Sequence, residues 1–194
     1  MSKLVISLNF HIETYYNAES TIGGLAMVLE DQYKQMMEQL GSKNVSEALG
    51  AIQNLKRKGK EALPYLMKAI EEREESIRVM AVVVLGEMEK EAVQAIPVLL
   101  ELLNEQNEQM RMAAALALVR IGDDSIQPLV NYLKSSDKWG SFWASWSLAL
   151  LNASLLEEKS IKILYETQQN TSNPVEKMAA EEALGKIIGN HLKS

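Results

Sequence analysis

The feature that most limits what this chain can become is an internal period of about 33 residues. Apolar triplets at spacings of four and three recur as Ala48/Ile52/Leu55, Ala81/Leu85/Met88, Ala114/Leu118/Ile121, Trp146/Leu150/Ala153 and Ala180/Leu184/Ile187, with offsets of 33, 33, 32 and 34 residues. Such spacings place each triplet on one stripe of a helix. A second ladder lies between them: Leu63/Leu66/Ile70, Ile96/Leu99/Leu103, Ile126/Leu129/Leu133 and Ile161/Leu164/Gln168. Each period is therefore a pair of helices. A lone pair cannot bury both stripes, so the pairs must stack and share one core. The pattern predicts an all-α fold, a right-handed α-α superhelix (solenoid) of about five antiparallel helix pairs, at about 21-57, 61-88, 92-121, 125-153 and 158-189.

Local signals agree with these divisions. Asn173-Pro174-Val175-Glu176 supplies an N-cap, a proline where no backbone N–H is needed, and a carboxylate near the positive helix end. Gly122 and Gly189 fall just beyond apolar stripes, where a left-handed cap would stop a helix. Pro64, Pro97 and Pro128 stand early in the first helices, where proline costs little. Ahead of the array, Leu4, Ile6, Leu8, Phe10 and Ile12 alternate with mostly polar residues, so 1-20 reads as an arm that either forms a strand or packs as a cap. A strand there would offer a pairing edge for a homodimer. The stripe Leu25/Val28/Leu29/Tyr33/Met36/Met37/Leu40 reads as the first long helix.

Ankyrin and tetratricopeptide repeats have nearly the same length, so the residues must decide between families. Neither Thr-Pro-Leu-His nor the Trp-x-x-Leu-Gly-x-x-Tyr pattern occurs. Glu61-Ala62-Leu63-Pro64-Tyr65-Leu66, then Ser76-Ile77-Arg78-Val79-Met80-Ala81 and Leu85-Gly86, is followed by Ala95-Ile96-Pro97-Val98-Leu99-Leu100 with Glu108-Gln109-Met110-Arg111, and by the turn Arg120-Ile121-Gly122-Asp123-Asp124-Ser125-Ile126. These segments resemble the short HEAT-like repeats first associated with phycobilisome lyases, over roughly Val45 to Ile188. The resemblance implies the fold and says little of function, because the family includes scaffolds, regulators and a few enzymes.

Composition narrows the chemistry. There is no cysteine, hence no disulfide, thiolate metal site or cysteine nucleophile. The formal charge of −6 works against binding a phosphate backbone, so nucleic acid is not the expected partner. Neither a membrane span nor a signal peptide is legible, and a cytoplasmic address is expected. His11 and His191 are the only histidines and stand at opposite ends of the chain. The repeated His-Glu motifs of the di-iron hydroxylases in this repeat class are absent, as are a P-loop and a Gly-x-Gly-x-x-Gly.

The expected function is accordingly a non-catalytic protein-protein interaction or scaffold module, with another protein as partner and no cofactor or metal. Its concave surface is expected to include Arg78, Val82, Arg111, Ala115, Trp139, Trp143, Ser147, Lys177 and Glu181, which share a register along the second helices. Glu75 and Glu108, three residues before Arg78 and Arg111, suggest local ion pairs instead. Phe142, Trp139, Trp143 and Trp146 crowd one repeat; Trp146 reads as core, Trp139 and Trp143 as contact rings. Lys56-Arg57-Lys58 and Lys60 read as the basic end of a helix, and Glu71, Glu72, Glu74 and Glu75 as a solvated turn. Two enzymatic alternatives follow from the resemblance alone: a phycobilin lyase-like chromophore binder, and a HEAT-like DNA glycosylase using Trp143, Trp139 and Asp137.

Overall fold

A computed structural model describes residues 27–72, 74–135 and 140–192. The N-terminal arm, Asp137 and Trp139 lie outside the described residues. Ten helices follow one another: α1 over 27–40, α2 Val45–Lys58, α3 Leu63–Glu72, α4 Glu75–Glu87, α5 Ile96–Leu102, α6 Glu108–Ile121, α7 Ile126–Ser135, α8 Ser141–Asn152, α9 Glu158–Asn170 and α10 Pro174–His191. Short 3-10 turns, such as Glu89–Ala95 and Asp123–Ser125, link one pair to the next. No strand occurs among the described residues. The chain is an all-α solenoid of five helix pairs.

Three helix starts are fixed by capping side chains. Asn44, Asn107 and Asn173 each accept a hydrogen bond from an early backbone N–H of α2, α6 and α10, at 3.0, 3.1 and 2.9 Å. Two glycines end helices with positive φ, Gly59 at 57° after α2 and Gly122 at 91° after α6. Gly189, expected as a cap, instead lies inside α10, which runs on to His191. Glycine inside a helix costs only about 1 kcal/mol, and the turns on either side of it carry the helix through.

One hydrophobic core threads the whole array, from Tyr33 and Leu40 in α1 through Leu55, Leu66, Leu85, Leu99, Leu118 and Leu129 to Leu164 and Ile187. The second helices α4, α6, α8 and α10 pack side by side in an inner layer, while the first helices touch one another far less. Closer spacing on one side bends the stack toward it, so the second helices line the concave face.

The bend is tightest at the fourth pair. Asn173 at the start of α10 donates to the Glu108 carboxylate at the start of α6, bridging past α8. Trp146 Nε1 reaches Glu182 of α10 at 3.2 Å. Under this closure every residue from Ser141 to Ala149 is buried. Gly140 begins α8 without a side chain, and a Cβ there would collide with the Tyr132 hydroxyl.

Candidate inner-face docking site

The helix caps set the register of the stack. Glu74, Asn107, Gly140 and Asn173 precede the second helices at intervals of 33 residues, so Ala81, Ala114, Ser147 and Ala180 are equivalent. Sequence reasoning placed Trp146 in that column, one residue early. In the first pair the buried stripe is Ala51 and Leu55 rather than Ala48 and Ile52, which are half-buried. Volume explains the Trp146 slip, whereas the first-pair slip comes from a shorter offset: the caps Asn44 and Glu74 are 30 residues apart rather than 33.

With the caps aligned, the expected contact residues turn out to face along the stack rather than across its groove. Val82, Ala115 and Ser147 are fully buried. The Ser147 hydroxyl donates at 3.2 Å to the Ala115 carbonyl of α6 and at 2.9 Å to the Trp143 carbonyl. Trp143 is 2% exposed and equivalent to the buried Met110, while Ala144 continues the column of Arg78 and Arg111. No partner can touch these side chains without unpacking the array. Lys177 and Glu181 are exposed because α10 is the last second helix described and nothing packs on that side.

The two arginines serve the turns. Arg78 donates from Nε to the Ile70 carbonyl at 2.6 Å and pairs through Nη2 with Glu105 of the next repeat at 2.7 Å. Arg111, only 8% exposed, donates to the carbonyls of Glu105 and Gln106 at 2.8 and 2.9 Å. The expected local pairs with Glu75 and Glu108 are not the ones made. Those carboxylates accept instead from the cap residues Asn107 and Asn173. A guanidinium that bonds free carbonyls at a helix end satisfies groups the backbone cannot, which is why both arginines turn inward.

What lines the groove is a strip that sequence reasoning missed. On α6, Met112 and Leu116 are 38% and 41% exposed; on α2, Leu49 is 52% exposed; between them Val79 and Val83 of α4 are half-buried. Counted from the helix caps, Leu49, Val79 and Met112 hold one equivalent position on α2, α4 and α6, and Val83 and Leu116 hold another on α4 and α6. On α8 the equivalent positions hold Ser145 and Ala149, both buried beneath the closure of α6 and α10. A signal was present: α4 and α6 are apolar nearly all round, with no polar face to turn toward water.

The strip has two unlike borders. At the helix ends, Lys56, Glu87 and Arg120 form a ladder of ion pairs across α2, α4 and α6. At the helix starts lie Glu75 and Glu108 and, beside them, a cleft of about 620 Å³ between the turns that follow α3 and α5. A second cleft of about 450 Å³ separates α1 from α3, lined by the stacked rings of Tyr33 and Tyr65, 3.9 Å apart. Burial, with a smaller contribution from the nearby Glu61 carboxylate, pushes the Tyr33 phenol above its ordinary value of 10.0. Among the described residues no group of three or more His, Asp or Glu is placed to hold a metal ion, and no helix is long and apolar enough to cross a membrane.

A curved stack of helix pairs with a shared core and a groove on its inner layer defines the α-solenoid repeat proteins. More particularly, this chain belongs to the HEAT-repeat family, whose sequence profile matches residues 33–118 and 96–185. The uncharacterized protein SkfG of Bacillus subtilis (strain 168) is 38% identical over 163 residues, which is 84% of this chain and 95% of SkfG. Among solved structures, the complex of CpcE and CpcF of phycocyanin lyase from Nostoc sp. PCC7120 matches with a TM-score of 0.53 and 16% identity, covering 78% of this chain and 97% of that one. An engineered protein matches with a TM-score of 0.49 and 19% identity, over 80% of this chain and 79% of its own. At such identities the likeness to solved structures is one of fold.

Proposed function

We propose that this protein is a non-catalytic interaction module that holds an apolar segment of another protein against the inner faces of α2, α4 and α6. One observation carries the reading: Leu49, Met112 and Leu116 are open to solvent at equivalent positions of the inner helices α2 and α6, although exposed apolar side chains such as Val45, Met178 and Ile188 also occur elsewhere on the array. Contiguous apolar surface of that kind loses free energy to water at about 25 cal/mol per Å² and recovers it when covered.

A photo-crosslinking residue at position 116 tests this in the source cell, with one at Gln127 on α7 as the control. A discrete protein adduct from position 116, absent from position 127 and lost on Leu49→Glu, is the expected result. No adduct at 116, or the same adduct from both positions, refutes the reading. The chromophore-binding alternative would use Trp143 and Trp139 as its platform; the Trp143 ring is enclosed, and Trp139 lies outside the described residues. A covalent absorbance shift on mixing purified protein with a free bilin would restore that alternative.

A further inference from the structure

We propose that the segment taken by the inner face is cationic as well as apolar: an amphipathic stretch of a partner protein with Lys or Arg along one side. The inference rests on the interaction reading above and adds the chemistry of the partner.

The charge along the two borders is unequal. At the helix ends, Lys56 and Arg120 share the single carboxylate of Glu87, so the ladder holds one more cation than anion. At the helix starts the 620 Å³ cleft is lined by Glu71, Glu75, Glu101 and Glu105, with Arg78 the one cation among its described lining residues. Arg78 is already committed to Glu105 and to the Ile70 carbonyl, so it does not neutralise the others. One helical turn, about 5.4 Å, separates Glu75 from Val79 along α4 and Glu108 from Met112 along α6. The acidic border therefore runs directly beside the apolar strip.

Local helix energetics account for only half of these acids. Glu75 and Glu108 occupy first turns, where the helix dipole favours a carboxylate. Glu71 and Glu101 do the opposite. They stand in the last turns of α3 and α5, at the negative helix ends, and neither helix has a basic residue there. By contrast α2, α6 and α7 all carry Lys or Arg in their last turns. Carboxylates set against the dipole destabilise the free protein, and a cation from outside removes the penalty. Both unfavourable placements border the same cleft, and that cleft is also lined by Glu75, one helical turn from Val79 of the strip.

Fluorescein-labelled model peptides test the proposal by anisotropy on the whole protein: one with Leu at helical spacing and Lys between, one with every Lys replaced by Glu, and one with every Leu replaced by Ser. Saturable binding of the Leu/Lys peptide alone, weakened by salt, is expected. Glu71→Gln with Glu101→Gln should weaken it about tenfold and flatten the salt dependence, because two rim charges are lost. The same pair should leave helicity unchanged and thermal stability equal or higher, since it unloads two negative helix ends. Leu116→Ser should weaken binding at every salt concentration. Equal binding of the Leu/Glu peptide, or an unchanged affinity in the double Gln variant, overturns the cationic partner while leaving the apolar groove standing. Equal binding of the Ser/Lys peptide, or indifference to Leu116→Ser, overturns the groove itself.

Discussion

Trp143 is where the two accounts of this protein differ most, and its replacement gives a quantitative test. Its ring is 2% exposed and meets Phe142 edge-on at 5.0 Å and Trp146 at 5.7 Å. Truncating a buried aromatic ring to Ala costs about 3–5 kcal/mol, through lost transfer energy and the cavity left behind. One term opposes this: among the described residues the buried indole Nε1 has no hydrogen-bond partner, and an unsatisfied buried donor costs about 1–3 kcal/mol that its removal returns. Trp143→Ala should therefore destabilise by about 2 kcal/mol, a substantial share of the roughly 5–15 kcal/mol that holds a domain folded. Trp143→Phe keeps a ring and deletes the stranded N–H, so its loss should stay within about 1 kcal/mol, the smaller cavity offsetting the relief. Urea titration followed by far-UV circular dichroism measures both. Under native conditions, crosslinking from position 116 should survive Trp143→Phe. If Trp143→Ala unfolds within about 1 kcal/mol of the parent, the enclosed-core argument is wrong. If Trp143→Phe costs as much as Trp143→Ala, the stranded N–H is not the offset claimed.

Two further outcomes follow from the turns and from the first pair. Arg111→Ala removes two charge-assisted bonds to carbonyls from a nearly buried site and should cost about 2–3 kcal/mol, whereas Arg78→Ala, from a quarter-exposed one, should cost about 1 kcal/mol by the same urea titration; equal losses would contradict the burial argument. Because burial raises the Tyr33 phenol above 10.0, the folded state holds that proton more tightly than the unfolded chain, so this contribution is complete below pH 10 and fades as pH climbs through the raised value. Tyr33→Phe should shed that alkaline loss, and parallel stability-pH curves above pH 10 for parent and variant would refute it.

Much of the architecture was legible in the sequence, because the period, the caps and the two ladders all act within one helix pair or between neighbours. Asn173 and Pro174 announce α10, and Gly122 ends α6, through backbone chemistry that needs no tertiary partner. The candidate site was far less legible. Arg78, Arg111 and Trp143 appeared to form a row, but a row of equivalent residues may face along a stack or across it, and periodicity is the same in both cases. Leu116 and Val83 were passed over because in an apolar helix nothing distinguishes the stripe that meets a neighbour from the one that meets water.

The sequence by itself thus determined that the chain would be a stack of helix pairs and where helices such as α10 start, since capping, proline placement and 3.6-residue periodicity are local. Only the tertiary structure decided which apolar stripe stays open. That choice depends on how far each pair rotates on the last, and the closure of α6 and α10 over α8 buries Ser145 and Ala149 while leaving Met112 and Leu116 exposed. Rotation between repeats is the sum of many side-chain contacts between helices distant in sequence, and no single segment encodes it.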